Sequence, residues 1–180
     1  MTSPPEGPVD PAHEIVDLYD EGGRVVGQAP RSRVRAQNLR HAATAIVVRN
    51  SAGEIFVHRR TDTKDVYPGL YDLAAGGVLS AGEDPAASAA REVFEELGVH
   101  GVPLESLRVS GYEDEHTRYV AFLYTCVYDG PIRLQPQEVA WGDWLAPHDV
   151  LARLQDPAWP FVPDTVALLR EDVRRWAAQG

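Results

Sequence analysis

Three glutamates stand within five positions near the middle of the chain, where Glu92, Glu95 and Glu96 supply the acids of "EVFEE". On a helix, residues three and four apart are neighbours, and like charges at that spacing destabilise it by roughly a few tenths of a kcal/mol per pair. Two interpretations are open: a solvated helix face that tolerates this cost, or a set of ligands for a cation. The glycine-rich segment "GGVLSAGED" stands directly before the helix and favours the second.

The sequence predicts where this helix begins and ends. Asp84 is an N-cap acceptor, and Pro85 follows it at a position where the missing N–H costs nothing. Gly98 is a natural C-terminal stop. At about 100° per residue the periodicity predicts a core face made by Ala86, Ala90, Val93, Phe94 and Leu97, with the three glutamates together on a nearly opposite face.

Clustered carboxylates supply the hard oxygen ligands that Mg²⁺ prefers, and Mg²⁺ also binds phosphates. A glycine loop from Gly76 to Gly82 lets the backbone approach an ion or a phosphate closely. Arg91 lies beside the glutamates and is expected to pair with Glu83, which would hold the loop against the helix. The stretch therefore suits a complex of a metal ion with a diphosphate.

The spacing resembles a known family signature. Gly77, five residues, Glu83, seven residues and then "REVFEELGV" match the Nudix box at its fixed positions. The resemblance implies an α/β fold, the Nudix α/β/α sandwich with a mixed central sheet, and hydrolysis of a diphosphate with Mg²⁺ or Mn²⁺. It also implies that Glu92, Glu95 and Glu96 are catalytic metal ligands and the Gly77 carbonyl a further ligand. Glu83, Arg91 and Gly98 would be structural.

The flanking sequence, from about Glu14 onward, looks like the isopentenyl-diphosphate isomerase-like branch of that family. The isomerase chemistry does not carry over, because the alignment puts Gly76 at the catalytic cysteine and Val78 at a metal-binding histidine. Glycine has no side chain to move a proton, and valine has no lone pair for a metal. His41 alone matches one of the isomerase metal histidines, and a packed or hydrogen-bonded role is expected for it. The hydrolase interpretation is kept and the isomerase one rejected.

Several residues outside the signature could take part. Glu138 stands at the entry to a late strand, where it could complete the metal shell or act as general base, or could simply face solvent. Arg59, Arg60 and Lys64 could bind phosphate oxygens, because guanidinium forks suit phosphate; they could also form the polar side of an edge strand. Which glutamate is the general base stays open. The acidic loop "YEDEHT" follows a strand, at a place where members of the family also have a base; an exposed turn is the expectation here.

Composition limits the class of protein. The 180 residues favour one domain, predicted over residues 14–180 after a flexible tail at 1–13. The net charge of −10 argues against a nucleic-acid polymer or a membrane surface as partner, but not against a small diphosphate bridged by a metal. Cys126 is the only cysteine, so no intramolecular disulfide forms. The first residues do not resemble a signal peptide and no apolar run is long enough to span a membrane, which predicts a cytoplasmic protein.

The coarse element prediction is two hairpins, a short basic helix or turn at "RSRVRAQNLR", a short strand at "LAAGG", three late strands and a C-terminal helix. Nucleoside di- or triphosphates and their derivatives are the first expectation for the substrate. The alternative from another class is a protein of this fold that binds a nucleotide or metabolite without cleaving it. A homodimer is possible.

Overall fold

The computed structural model describes residues 11–179 of the chain. A short 3-10 helix at Pro11–His13 comes first. The strands that follow are β1 (Ile15–Tyr19), β2 (Val25–Pro30), β3 (His41–Arg49), β4 (Ile55–Arg60), β5 (Tyr71–Asp72), β6 (Glu105–Glu113), β7 (Arg118–Val127) and β8 (Val139–Leu145). The helices are α1 (Arg31–Gln37), α2 (Pro85–Leu97), α3 (Pro147–Arg153) and α4 (Pro163–Ala177). Of the predicted tail, residues 1–10 lie outside the described part.

Both predicted hairpins and the basic helix are present. β1 and β2 pair antiparallel and lead directly into α1. Val16, Ala29 and Val34 of this hairpin–helix unit are buried together against Val78, which immediately follows the two central glycines. A small apolar core therefore fixes the unit to the glycine loop.

The central sheet is mixed, with the strand order β5-β4-β3-β7-β6 and β8 paired to the other side of β4. β3 and β7 run parallel, and the remaining pairs are antiparallel. The β3–β4 hairpin pairs only at Arg49 and Ile55, because the glycine-loop segment takes the free edge of β3 through the bridges Ile46–Ala75 and Ala43–Val78. The strand predicted at "LAAGG" is thus reduced to isolated bridges, preceded by the two-residue β5.

Helices cover both faces of the sheet, which confirms the α/β/α sandwich. Alternate residues of β3 point to opposite layers, as the two-residue period of a strand requires. Ile46 and Val48 pack toward α2. Ala45 and Val47 pack toward α3 and α4. α3 is absent from the sequence prediction.

The predicted core face of α2 is partly wrong. Val93 and Leu97 are buried, but Ala86, Ala90 and Phe94 are exposed. The buried positions are Ser88, Ala89, Val93, Glu96 and Leu97. Relative to the predicted orientation, the helix is rotated about its axis so that Glu96 belongs to the buried face. The three glutamates therefore differ in exposure: Glu96 is buried, Glu92 is partly buried and Glu95 is exposed.

Among residues 11–179, no helix is both long and apolar enough to cross a lipid bilayer.

Candidate active site

The ends of α2 are formed by the residues that the sequence indicated. The Asp84 carboxylate accepts hydrogen bonds from the backbone N–H groups of Ala86 and Ala87, each at 3.0 Å. Gly98 adopts a left-handed conformation with φ of 73° and ends the helix. These two caps set the axial position of the glutamates relative to the glycine loop.

An ion pair between Arg91 and Glu83 holds the loop against the helix. Nε of Arg91 donates to Oε1 of Glu83 at 3.1 Å and Nη2 donates to Oε2 at 3.1 Å. Oε2 also accepts from the backbone N–H of Ser80 at 3.0 Å. The predicted pairing of Arg91 with Glu83 is therefore present, and it is a bidentate one, the geometry that most restricts both partners.

Glu92 lies directly over Gly77. A Cβ at position 77 would come within 2.5 Å of the Glu92 Cδ, so any larger residue there would require this carboxylate to move. Nη1 of Arg91 donates to Oε1 of Glu92 at 2.7 Å. Burial raises the pKa of Glu92 above its usual range, against the opposing effect of Arg91. The Gly77 carbonyl accepts from the Thr44 N–H at 2.9 Å and keeps a second lone pair.

Glu96 is the most buried of the three glutamates, at 4% exposure. Its Oε2 accepts a long hydrogen bond from the Gly76 N–H at 3.3 Å, and its Oε1 lies 3.6 Å from Lys64 Nζ. Burial raises the pKa of Glu96 to about 7, and the nearby Glu92 adds to the effect. Because few hydrogen-bond donors contact the buried Glu96 carboxylate, a cation bound next to it would stabilise its ionised form.

Glu138 joins this group from the other side of the cavity, although it is far away in sequence. It immediately precedes β8, and its carboxylate contacts the same Lys64 ammonium that faces Glu96. Glu95 is more exposed, with 48% of its side chain accessible, and it lies 3.4 Å from Arg91. The structure thus brings Glu92, Glu96 and Glu138 to one cavity, with Glu95 at its rim.

The three predicted phosphate-binding cations do not behave alike. Lys64 and Arg60 line the cavity, and Arg60 also pairs with Asp72 at 3.4 Å. Arg59 does not line it; its guanidinium donates to Asp62 at 2.8 Å. The pairing of β4 with β8 is irregular between Arg59 and Arg60, and only Arg60 lines the cavity. Arg59 is therefore not among the residues that line this cavity, and its role in substrate binding stays a prediction.

The donor set fits a divalent ion in its chemistry, because carboxylate and carbonyl oxygens are the ligands of Mg²⁺ and Mn²⁺. The side chains that could hold one are Glu92, Glu95, Glu96 and Glu138, together with the Gly77 carbonyl. As they are placed, Arg91 and Lys64 neutralise these acids, and within residues 11–179 no three His, Cys, Asp or Glu side chains converge as a ligand group. An ion would have to compete with these two cations.

The residues that align with the isomerase cysteine and histidines have packing roles in this structure. A Cβ on Gly76 would lie 2.0 Å from the Thr44 carbonyl oxygen, so a cysteine there would require the backbone to move. Val78 belongs to the small core under the hairpin. His41 is 3% exposed, packs on Tyr119 and has its pKa lowered to about 4 by burial, which makes it neutral at pH 7. The packed role expected for His41 is confirmed.

The remaining sequence candidates are structural. In the "YEDEHT" loop, Asp114 accepts hydrogen bonds from the backbone N–H groups of His116 and Thr117, as in a turn. Glu115 is exposed. Cys126 is buried, and burial raises the pKa of its thiol to about 11.

The cavity has a volume of about 940 Å³ and extends from the glutamates to the hairpin–helix unit. The lining residues that were not singled out from the sequence include Arg31, Arg35, Tyr119 and Asp164. The basic run "RSRVR" in an acidic chain was a usable signal for the first two. Nothing local marks the others. Tyr119 donates to Asp164 at 2.9 Å, and burial raises the pKa of Asp164 to about 6, with the nearby Asp72 adding to the effect.

Comparison with known proteins identifies the family. The NUDIX domain model matches residues 39–165, most of the chain. The chain therefore belongs to the Nudix hydrolases.

The relatives cover nearly the whole chain. An uncharacterized Nudix hydrolase of Rhodococcus erythropolis is 45% identical over 95% of this chain and 98% of its own length. The uncharacterized Nudix hydrolase YfcD of Escherichia coli K12 is 44% identical over 87% of this chain and 84% of its own.

Solved structures support the fold. The protein DR0079 from Deinococcus radiodurans superposes with a TM-score of 0.73 at 28% identity, covering 90% of this chain and 98% of that one. A MutT protein from Methanosarcina mazei has the same fold, with a TM-score of 0.63 at 22% identity over 78% of this chain and 94% of its own. Both matches cover most of the chain, so the similarity extends over the sandwich as a whole.

Proposed function

We propose that this protein hydrolyses a diphosphate bond in a small molecule, with Mg²⁺ or Mn²⁺ as cofactor and a nucleoside diphosphate-linked compound as the first candidate substrate. The observation that carries the proposal is the division of charge in one cavity. Glu92, Glu96 and Glu138 face it together with Lys64 and Arg60. Acids suit a metal and the cations suit phosphate oxygens, so the two sets together fit a metal–diphosphate complex.

Each residue has a proposed role in this reaction. Glu92 and Glu96 hold the ion, with Glu95, Glu138 and the Gly77 carbonyl as further ligands. The ion, when bound, offsets charge on the phosphate oxygens and lowers the pKa of water. Glu96 or Glu138 takes the proton of the attacking water as general base.

The cations and the loop position the substrate. Lys64 and Arg60 orient the diphosphate by donating to its oxygens. The Arg91–Glu83 pair keeps the glycine loop in place, so Gly77 stays next to Glu92. The side chains therefore bind, orient and accept a proton, and none of them needs to form a covalent bond to phosphorus.

The test is release of phosphate or diphosphate from a panel of nucleotides, nucleotide sugars and prenyl diphosphates, with Mg²⁺ or Mn²⁺ and with EDTA. We expect metal-dependent turnover of at least one nucleotide-type compound. Binding without turnover across the whole panel would instead favour a nucleotide- or metabolite-binding protein of this fold.

We infer further that the isomerase-like flanks carry no isomerase activity, because Gly76 and Val78 lack the required groups. Incubation with isopentenyl diphosphate and metal should give no dimethylallyl diphosphate above the level of an enzyme-free control. A cytoplasmic location, a domain spanning 14–180 and a possible homodimer stay predictions.

A further inference from the structure

Helix α1 carries two arginines into the cavity. Arg31 and Arg35 are four residues apart, so they lie on one face of the helix, and both line the cavity. Arg33, between them, is exposed and donates from Nε to Gln37 at 3.2 Å on the outer face. The same short helix therefore presents two cations inward and one outward.

The hairpin–helix unit is fastened to the glycine loop by polar contacts as well as by its small core. Glu14 accepts from Arg31 at 3.2 Å and also from the Ser80 hydroxyl. The Gly82 N–H donates to Asp17 at 2.8 Å, and the Ala81 N–H donates to the Ile15 carbonyl at 2.9 Å. These bonds fix α1 relative to the loop that carries Gly77, so its arginines have a defined position at the site.

The charge around Arg35 is unbalanced. Its guanidinium is half-buried, and within the described part of the chain no carboxylate forms an ion pair with it. Burial and then the neighbouring Arg31 lower the pKa of Arg35, with Arg60 contributing further; only the exposed Asp65 and the Tyr67 phenol act against this. Although the chain has a net charge of −10, the guanidiniums of Arg31, Arg35 and Arg60 lie close enough to repel one another, and an anion would stabilise them.

We propose that Arg31 and Arg35 bind phosphate oxygens of the substrate, either of the diphosphate itself or of a longer phosphate chain, from the hairpin side of the cavity. This inference rests on the proposed function. Guanidinium forks match phosphate oxygens in pairs, and Arg31 is close enough to Glu92 to act on it electrostatically. The ligand would then bridge the hairpin–helix unit and α2, which makes the unit part of the substrate site.

The test compares Arg35→Met with Arg33→Met, which removes the same charge from the outer face of the same helix. Calorimetry would measure binding of inorganic pyrophosphate and of tripolyphosphate, each with EDTA and with Mg²⁺. We expect Arg35→Met to weaken binding about tenfold or more and Arg33→Met to change it less than about twofold. Arg35→Lys should recover part of the loss, because it restores the charge but not the fork.

The two anions locate the bound phosphate. An equal loss for pyrophosphate and tripolyphosphate assigns the arginines to the diphosphate, whereas a loss confined to tripolyphosphate assigns them to a third phosphate group. A thermal melt of each variant shows that the fold is intact, and Arg31→Met is a second variant with the same expected direction.

Equal binding by Arg35→Met and Arg33→Met would overturn the inference. So would a wild-type protein that binds neither anion in either buffer. If the wild type still hydrolyses a compound of the substrate panel in those cases, the proposed function stands and only the role of α1 fails. If it also hydrolyses nothing in that panel, both fail.

Discussion

The Lys64 ammonium lies 3.6 Å from Oε1 of Glu96 and also contacts Glu138, so one cation joins a glutamate of α2 to the glutamate that precedes β8. Burial lowers the pKa of Lys64, and the nearby Glu96 opposes this effect. A divalent ion bound by the same carboxylates would displace the ammonium, and Lys64 would then be free to meet a phosphate.

Replacing Lys64 with Met should therefore have opposite effects on metal and on substrate. Without the competing ammonium, Mn²⁺ alone should bind several-fold more tightly by calorimetry. The KM for a diphosphate substrate should rise about tenfold, because one phosphate contact is lost. Weaker Mn²⁺ binding in Lys64→Met would show that the lysine supports the ion instead of competing with it.

Glu96→Gln should abolish most of the activity while preserving the fold. The change keeps shape but removes one charge from the proposed metal shell, and a rate drop of ~10² or more is expected. Folding should survive, because a neutral side chain is easier to bury than a carboxylate. Glu171→Gln, an exposed helix glutamate, is the control and should keep full kcat. Near-normal turnover by Glu96→Gln would contradict the metal-site assignment.

Metal should stabilise the wild-type protein through these carboxylates. An ion present at a hundredfold its Kd adds about 2.7 kcal/mol of unfolding free energy, a rise of several degrees in Tm for a domain of this size. The Glu92→Gln/Glu96→Gln variant should lose this response. Thermal melts with Mn²⁺ or Mg²⁺, and with Na⁺ at matched ionic strength, measure the difference. A solvated-face role for the glutamates would give the same small shift in both proteins.

Gly76→Ala should destabilise the fold, because its Cβ would meet the Thr44 carbonyl oxygen at 2.0 Å and the backbone of β3 cannot retreat. We expect a loss of about 2 kcal/mol or more in urea unfolding. Gly27→Ala, at a strand position with no atom within 4 Å, is the matched control and should change stability by less than about 0.5 kcal/mol. Similar effects of the two substitutions would show that the close approach at Gly76 is not tight.

The raised pKa of Asp164 should make the free energy of unfolding decrease as pH rises. Burial and Asp72 raise its pKa from 3.8 to about 6, whereas Tyr119, the Thr165 N–H and Arg60 oppose the shift. A carboxyl whose folded pKa is raised binds its proton more tightly in the folded state. Its contribution is therefore greatest at low pH and is lost as pH rises from about 4 through 6, by at most about 3 kcal/mol.

Urea unfolding of wild type and Asp164→Asn at several pH values between 4.5 and 7.5 isolates this contribution, because the other titrating groups are common to both. The wild type should lose stability relative to the variant across that range. A difference that is constant with pH would mean that Asp164 has an ordinary pKa.

Local rules were enough for much of the site. Asp84, Pro85 and Gly98 defined α2, and the pairing of Arg91 with Glu83 followed from their separation along one loop and helix. The hairpin signals predicted β1 to β4, because turns and the alternation of side chains along a strand depend on residues that are neighbours in the sequence. The type of chemistry could also be predicted locally, because the glycines and the three glutamates belong to one continuous stretch of the sequence.

Tertiary structure decided what no local pattern contains. The rotation of α2, which buries Glu96 and exposes Phe94, depends on how the helix packs on β3. The contact between Glu138 and Lys64 depends on the pairing of β8 with β4. The orientation of Arg35 toward the cavity depends on the packing of the hairpin–helix unit against Val78. Helix and turn propensities act over a few residues, whereas these contacts join residues dozens of positions apart, so only the packed fold could determine them.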